Sequence, residues 1–233
     1  MIRLANAPVP VLRSTPSDGD IDWTSWIRRA DRKRRLVIRP RAVLFPTDYF
    51  CEATYSSFAL ADMNIVPAQV AEAVDACSTR RTFRSRQNQR IRNHIAILHQ
   101  IESILEFRRH LSVDTILRWY TSISCGLSTY PLDSSVISRL NNITCEISTP
   151  QPRLRRAITQ VATLHLTLLA DPIFPAFNSI LARLLLRYHL GRHSLPPVTF
   201  DPATDRPALN ASLPRFLPLF LDRLESSLDA VKN

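Results

Sequence analysis

Glycine is nearly missing from this chain. Gly19, Gly126 and Gly191 are the whole complement, against an ordinary usage of about 7%. Phosphate-cradling loops need glycines close together, because backbone N–H groups must approach the phosphates with no Cβ in the way. A Walker-type or dinucleotide-binding loop is therefore excluded. Lysine is rarer still: Lys33 and Lys232 are alone, so arginine carries the formal charge of +10. The four cysteines, Cys51, Cys77, Cys125 and Cys145, stand far apart, and no Cys-x-x-Cys pair offers a zinc framework. Long apolar runs are lacking too: none reaches the roughly 18 residues of a membrane span. With no secretory leader in view, the expectation is a soluble cytoplasmic protein with reduced thiols and no membrane partner.

What the chain does have is apolar surface. Of 233 residues, 45% are hydrophobic, enough for one sizeable core. Prolines gather near both ends and at helix breaks. We expect a Pro/Arg-rich arm with a short helix over 1–44 and a helical domain over 45–233. Arg28, Arg29, Arg32, Lys33, Arg34, Arg35, Arg39 and Arg41 form one basic run, and a second lies over 80–92. Such runs can attract nucleic acid. No aromatic residues interleave with the first run as a stacking platform would require. A solvated helix face leading into a loop is the favoured reading, and nucleic acid ranks last among partners.

The organising stretch is 158–190. Ile158, Val161, Leu164 or His165, Leu168 and Leu169 recur at helical spacing, as do Ile180, Leu181, Leu184, Leu185 and Tyr188. Both segments are apolar almost all round, so both should be buried. Pro172 and Pro175 break the pattern between them, since neither donates a backbone hydrogen bond. Asp171 stands just before the break.

This stretch resembles the centre of the Fic (Fido-domain) family. The family motif is His-Pro-Phe-x-Asp/Glu-Gly-Asn-Gly-Arg-x-x-Arg, between two buried helices, and it often continues Arg-Leu-Leu-Leu. Asn178-Ser-Ile-Leu-Ala-Arg-Leu-Leu-Leu186 lies over its second half without a gap. Family members often carry a further His seven residues before the motif His, and His165 falls seven before Pro172. Phe174, Asn178 and Arg183 keep the motif. Pro172 stands at the catalytic His, Ile173 at the Pro, Ala176 at the acidic residue, Phe177 and Ser179 at the glycines, and Ile180 at the first Arg. A second likeness lies upstream. Family members carry Glu-Ala-x-x-Ser-Ser-x-Ile-Glu-Gly on a helix whose second Glu pairs with the last motif Arg and blocks ATP. Glu52, Ala53, Ser56 and Ser57 match; Leu60 replaces the inhibitory Glu and Ala61 the Gly.

The resemblance implies a mostly α fold of one domain, with room for a small β-hairpin flap. It also implies lost chemistry. The family His is a general base, and proline cannot accept a proton. The acidic residue holds Mg²⁺ through carboxylate oxygen, and alanine offers none. The expectation is a degenerate Fic-like protein without AMP-transferase activity, acting as a protein-interaction or nucleotide-binding module. Asn178 and Arg183 are then the nucleotide-binding candidates, and a protein is the expected partner. The alternative is a nucleotidyl- or phosphoryl-group transferase with a rebuilt site. Asp171 would be its base or metal ligand, with ATP and Mg²⁺ as cofactors and His165 nearby. An Asp-Pro turn at a helix end is the plainer reading of Asp171. No other metal site is expected. Arg183, lacking its family partner, must find another, because a buried unpaired guanidinium is costly.

Elsewhere the pattern gives a helix over 21–34 capped by Asp20, with Trp23, Trp26 and Ile27 inward. Another opens at Pro67, and a long one runs over 85–111 with Ile91, Ile95, Leu98 and Leu105 on one face. Ser112 caps the next. Val136 to Ser138 and Ile143 to Ile147 read as two short strands, a remnant of the family flap that could take up a peptide by strand addition. His94 and His99, five apart, read as surface or edge residues. Gly191 reads as a C-cap, Pro202 to Leu209 as a loop, and 211–231 as a closing amphipathic helix.

Overall fold

The structure, a computed structural model, describes residues 21–37, 47–79, 85–125, 133–149 and 151–230. The Pro-rich arm over 1–20, the basic residues Arg39 and Arg41, and residues 80–84 of the second basic run lie outside these. Among the described residues there are ten helices and no strand. They are α1 (Trp23–Val37), α2 (Thr47–Ala59), α3 (Pro67–Thr79), α4 (Arg86–Glu106), α5 (Val113–Ser124), α6 (Ser134–Ser148), α7 (Leu154–Ala170), α8 (Asn178–Arg192), α9 (Arg206–Leu209) and α10 (Leu213–Ala230).

The two central helices, α7 and α8, make the most extensive contact in the molecule and divide it into two cores. On one side, Leu164 and Leu168 of α7 and Ile180, Leu181, Leu184 and Tyr188 of α8 meet residues of α2 to α6. On the other, Ile158, Val161 and Ala162 of α7 and Leu186 and Leu190 of α8 meet α1 and α10. Every residue of α8 from Ile180 to Leu190 is buried. That is the fate expected of a helix apolar on all sides. Each such Leu or Ile side chain contributes about 1.5–3 kcal/mol by leaving water.

Local chemistry sets the helix ends. The Ser85 hydroxyl accepts from the Gln87 and Asn88 amides, and Ser112 accepts from Thr115, each satisfying amides with no intrahelical partner. Asp22 Oδ1 accepts from the Ser25 amide at 3.0 Å and so caps α1; Asp20 lies outside the described residues. α1 packs by Trp23, Trp26 and Ala30 against the second core, and Arg29 reaches Glu225 of α10 at 3.0 Å.

Four readings are corrected. Residues 134–148 form α6, not two strands. Asp133 caps its first turn, and Val136, Leu140, Ile143 and Ile147 point into the core. The spacing of four, three and four is helical; the alternation of Ile143, Cys145 and Ile147 is a coincidence within it. Gly191 is not a C-cap. α8 runs on to Arg192 and is capped by His193, and the positive φ of 55° falls on Ser194. A Cβ on Gly191 would lie 2.3 Å from Leu105 Cδ1, so glycine there lets the end of α4 approach. His94 is no surface residue: it is 1% exposed. It shares its face of α4 with Ile91, Ile95 and Leu98. His99 is the exposed one and lies 4.4 Å from the Phe50 ring. The stretch read as a loop over 202–209 also contains the single turn α9.

The placement of Cys145 separates the helix from the hairpin. On α6 its thiol is exposed; in a strand it would share the buried face of Ile143 and Ile147. In native protein the Cys145 thiol should therefore react rapidly with an aromatic disulfide reagent, as mass mapping of the labelled peptide would show. Protection of Cys145 until unfolding would contradict α6.

The buried histidines make stability depend on pH. Burial pushes His94, His165 and His189 each down to about 3. They are neutral when folded and take up a proton below pH 6.5 when unfolded. Their contribution is complete above about pH 6.5 and is lost as pH falls toward 3. Each should steepen the loss toward about 1.4 kcal/mol per pH unit. Urea midpoints between pH 7.5 and 4.5 check this, and His165→Phe should flatten the slope.

Candidate functional site

The loop 171–177 joins the two central helices. Asp171 caps α7, its amide donating to the Thr167 carbonyl at 2.8 Å. Its carboxylate is 72% exposed and bridges to Arg139 of α6 at 2.8 Å. The same guanidinium donates to the Asp171 carbonyl at 2.7 Å and the Pro172 carbonyl at 3.3 Å. One arginine thus serves the two carbonyls that precede the break.

Beyond Pro172 the chain turns inward. Ile173 and Phe174 are 4% and 1% exposed, and the Phe174 ring stacks on Tyr120 at 3.9 Å. Burial takes their amides from water, and Asn178 supplies the partner. Asn178 Oδ1 accepts from the Ile173 amide at 3.0 Å and the Phe174 amide at 3.4 Å. Its Nδ2 donates to the Leu168 carbonyl at 2.6 Å. The side chain of a helix's first residue is thereby committed to the loop and to the end of the preceding helix.

Phe177 starts α8 in the left-handed region, φ 58°, with no side-chain cap. A Cβ there costs roughly 1–2 kcal/mol. The ring is half-buried against the first core, and the Arg90 guanidinium lies 4.8 Å from its centroid. The backbone keeps a turn suited to glycine while the sequence does not.

Arg183 is 8% exposed. Its Nη2 donates to the Ser57 carbonyl at 2.5 Å and lies 3.5 Å from Ser179 Oγ. Ser57 belongs to the last turn of α2, whose carbonyls have no helical partner and carry the negative end of the dipole. Arg206 donates to the Ala59 carbonyl in the same turn and pairs with Asp62. Two arginines therefore cap α2. Burial, then Arg206, push the Arg183 pKa down to about 9, which leaves it charged at neutral pH. The partner required of Arg183 exists, but it is a carbonyl and not a carboxylate.

His165 is buried between Phe200 and Phe216, its Nδ1 at 3.4 Å from the Ala182 carbonyl. The structure brings Asn178 and His165 to the α7–α8 contact and turns Arg183 to the end of α2. Asp171 lies outside that contact, on the surface beside α6. Among the described residues no three His, Cys, Asp or Glu side chains converge as a metal site. The sequence reading missed Arg139, Tyr120, His94 and Arg187. Arg187 and His94 were within reach: one stands four residues after Arg183 on a helix apolar all round, the other within the helical run of Ile91, Ile95 and Leu98.

No protein-family model and no curated protein sequence matches this chain. Solved structures do. A fragment of Fic-1 from C. elegans matches with a TM-score of 0.70 at 17% identity, over 90% of this chain and 71% of that one. A variant of the same fragment gives 0.71 at 16% identity. A Fic domain containing signaling protein from Bacteroides thetaiotaomicron gives 0.61 at 16% identity, over 88% of this chain and 94% of that one. At such identities the likeness is one of fold: the chain has the all-helical Fic fold. No helix in the described residues is long and apolar enough to cross a membrane.

If Asn178 is the tie that holds the loop, Asn178→Ala should leave two buried amides and one carbonyl unsatisfied and cost about 3 kcal/mol in urea unfolding. Asp171→Ala should cost under about 1 kcal/mol, since that pair is solvent-exposed. Equal costs for the two would contradict the assignment.

Proposed function

We propose that this chain is a Fic-fold protein without AMP-transferase activity, working as a protein-interaction module. One feature supports the reading: in the register of the resemblance Pro172 falls at the family's general base, and its ring can accept no proton. A general base alone is typically worth about 10²–10⁴ in rate. Ala176 has no oxygen for Mg²⁺ at the acidic position. The carboxylate left in the loop, Asp171, is engaged by Arg139. The residues present do not fit Mg²⁺ and nucleotide as the family holds them.

The two retained polar positions support the same reading. The Asn178 side-chain amide bonds to the loop amides and to the end of α7, and Arg183 caps α2. We assign both to architecture ahead of nucleotide binding. The loss of an inhibitory Glu at Leu60 accords with it, since a site that transfers nothing needs no brake. We place the protein in the cytoplasm as part of the same proposal, with residues 1–44 as a segment docked on the Fic-fold domain through α1.

A second reading, a transferase with a rebuilt site, has one observation in its favour. The Asp171 carboxylate is 72% exposed beside the loop, so a substrate could reach it.

Incubation of the full chain with ATP labelled at the α-phosphate and Mg²⁺, with itself and bacterial and eukaryotic extracts as acceptors, tests both. The expected result is no labelled protein, and no saturable heat when ATP is titrated calorimetrically. Label abolished by Asp171→Ala would establish the rebuilt transferase. Saturable ATP binding lost in Arg183→Ala would return Arg183 to a nucleotide role.

A further inference from the structure

A small cavity opens deeper in the fold, where α2, α4, α8 and the segment 198–200 meet. Its volume is about 20 Å³, and Tyr49, Ser57, His94, Arg183, Arg187 and Thr199 contribute to its walls. Space of that size holds one water-sized occupant. None of the loop residues 171–177 lines it.

The walls present donors whose acceptors are absent. Arg183 Nε and His94 Nε2 are buried with no hydrogen-bond partner, and their residues are 8% and 1% exposed. The nearby acceptors are taken. The Ser57 carbonyl receives Arg183, and the Phe200 carbonyl receives the Ser56 hydroxyl at 2.5 Å. Thr54 Oγ1 lies 3.0 Å from His94 Nδ1, which leaves Nε2 to carry the proton when Thr54 donates.

Charge points the same way. Arg187 is balanced by Glu102 at 2.5 Å and also contacts the Tyr49 hydroxyl. Arg183 hydrogen-bonds the Ser57 carbonyl and approaches the Ser179 hydroxyl, neither of them charged. Burial keeps the Tyr49 phenol neutral by pushing it up to about 12, and His94 neutral as described above. The Arg183 guanidinium, 8% exposed, is left with the partial negative charge of a helix end. A buried charge of that kind is costly unless an opposite charge meets it.

We propose that this cavity binds a single monovalent anion of chloride size, held by the Arg183 Nε–H and the His94 Nε2–H. The anion takes the place of a carboxylate partner for Arg183 and locks α2 and α4 onto α8. The inference concerns the wall of the core and stands whether or not the loop transfers a nucleotide.

Thermal unfolding of the full chain in sodium chloride, sodium bromide and sodium gluconate at matched ionic strength tests this. Gluconate is too large to enter. Chloride and bromide should raise the melting temperature over gluconate by about 3 °C, saturably, as ligands that bind only the folded state do. The rise should vanish in His94→Leu. Arg183→Met would also uncap α2, so crystals of the unaltered protein in bromide give the second readout. An anomalous peak within about 3.5 Å of Arg183 Nε and His94 Nε2 is expected. Equal melting temperatures in the three salts with no peak in the cavity would mean a water there and overturn the proposal. So would a rise that survives His94→Leu undiminished, or a bromide peak only elsewhere.

Discussion

The carboxamide of Asn178 holds the joint on which this molecule turns. Two apolar helices must lie side by side, and two prolines deny the chain between them its own hydrogen bonds. Ile173 and Phe174 fill the space at the joint with apolar surface, which strands their amides away from water. Asn178 accepts from both and donates to the Leu168 carbonyl at the end of α7. One side chain thus settles three backbone groups. The inward path of the loop, the seat of Phe174 on Tyr120 and the start of α8 follow from it.

A second exchange accompanies the first. In the resembled family a carboxylate on the upstream helix meets the last motif arginine. In the register of that resemblance Leu60 falls at this position, and it is buried in the second core. Arg183 has turned to the carbonyl end of α2 instead, next to Arg206. A helix C-terminus offers only part of a negative charge, so the trade keeps α2 docked but leaves the guanidinium short of a full counter-charge. Asn178 and Arg183 both hold helices together, and the side chains of Pro172 and Ala176 in the loop carry neither a proton acceptor nor a carboxylate.

Much of this was legible in the residues. The central pair was readable because apolar period and proline breaks agree, and because the motif register is carried by Phe174, Asn178 and Arg183. Helix starts at Ser85 and Ser112 were readable because a short hydroxyl side chain there has a specific task. The hairpin over 134–148 was misread because Ile143, Cys145 and Ile147 fit a period of two as well as one face of a helix. Deciding between them needs the neighbours Val136 and Leu140 and the cap at Asp133. Gly191 was misread because a glycine near a helix end suits either a left-handed cap or a close approach, and only the position of Leu105 chooses. Arg139 carries no local signal at all: its role is to reach Asp171 across 32 residues.

The central claim is that the loop is a tied joint and not a cradle awaiting a ligand. Amide hydrogen exchange at Ile173 and Phe174 tests it most directly. The account predicts strong protection at both amides in the protein alone, unchanged when ATP and Mg²⁺ are added. Rapid exchange at either, or protection that arises only with nucleotide, would mean that the loop is open and that Asn178 serves a ligand.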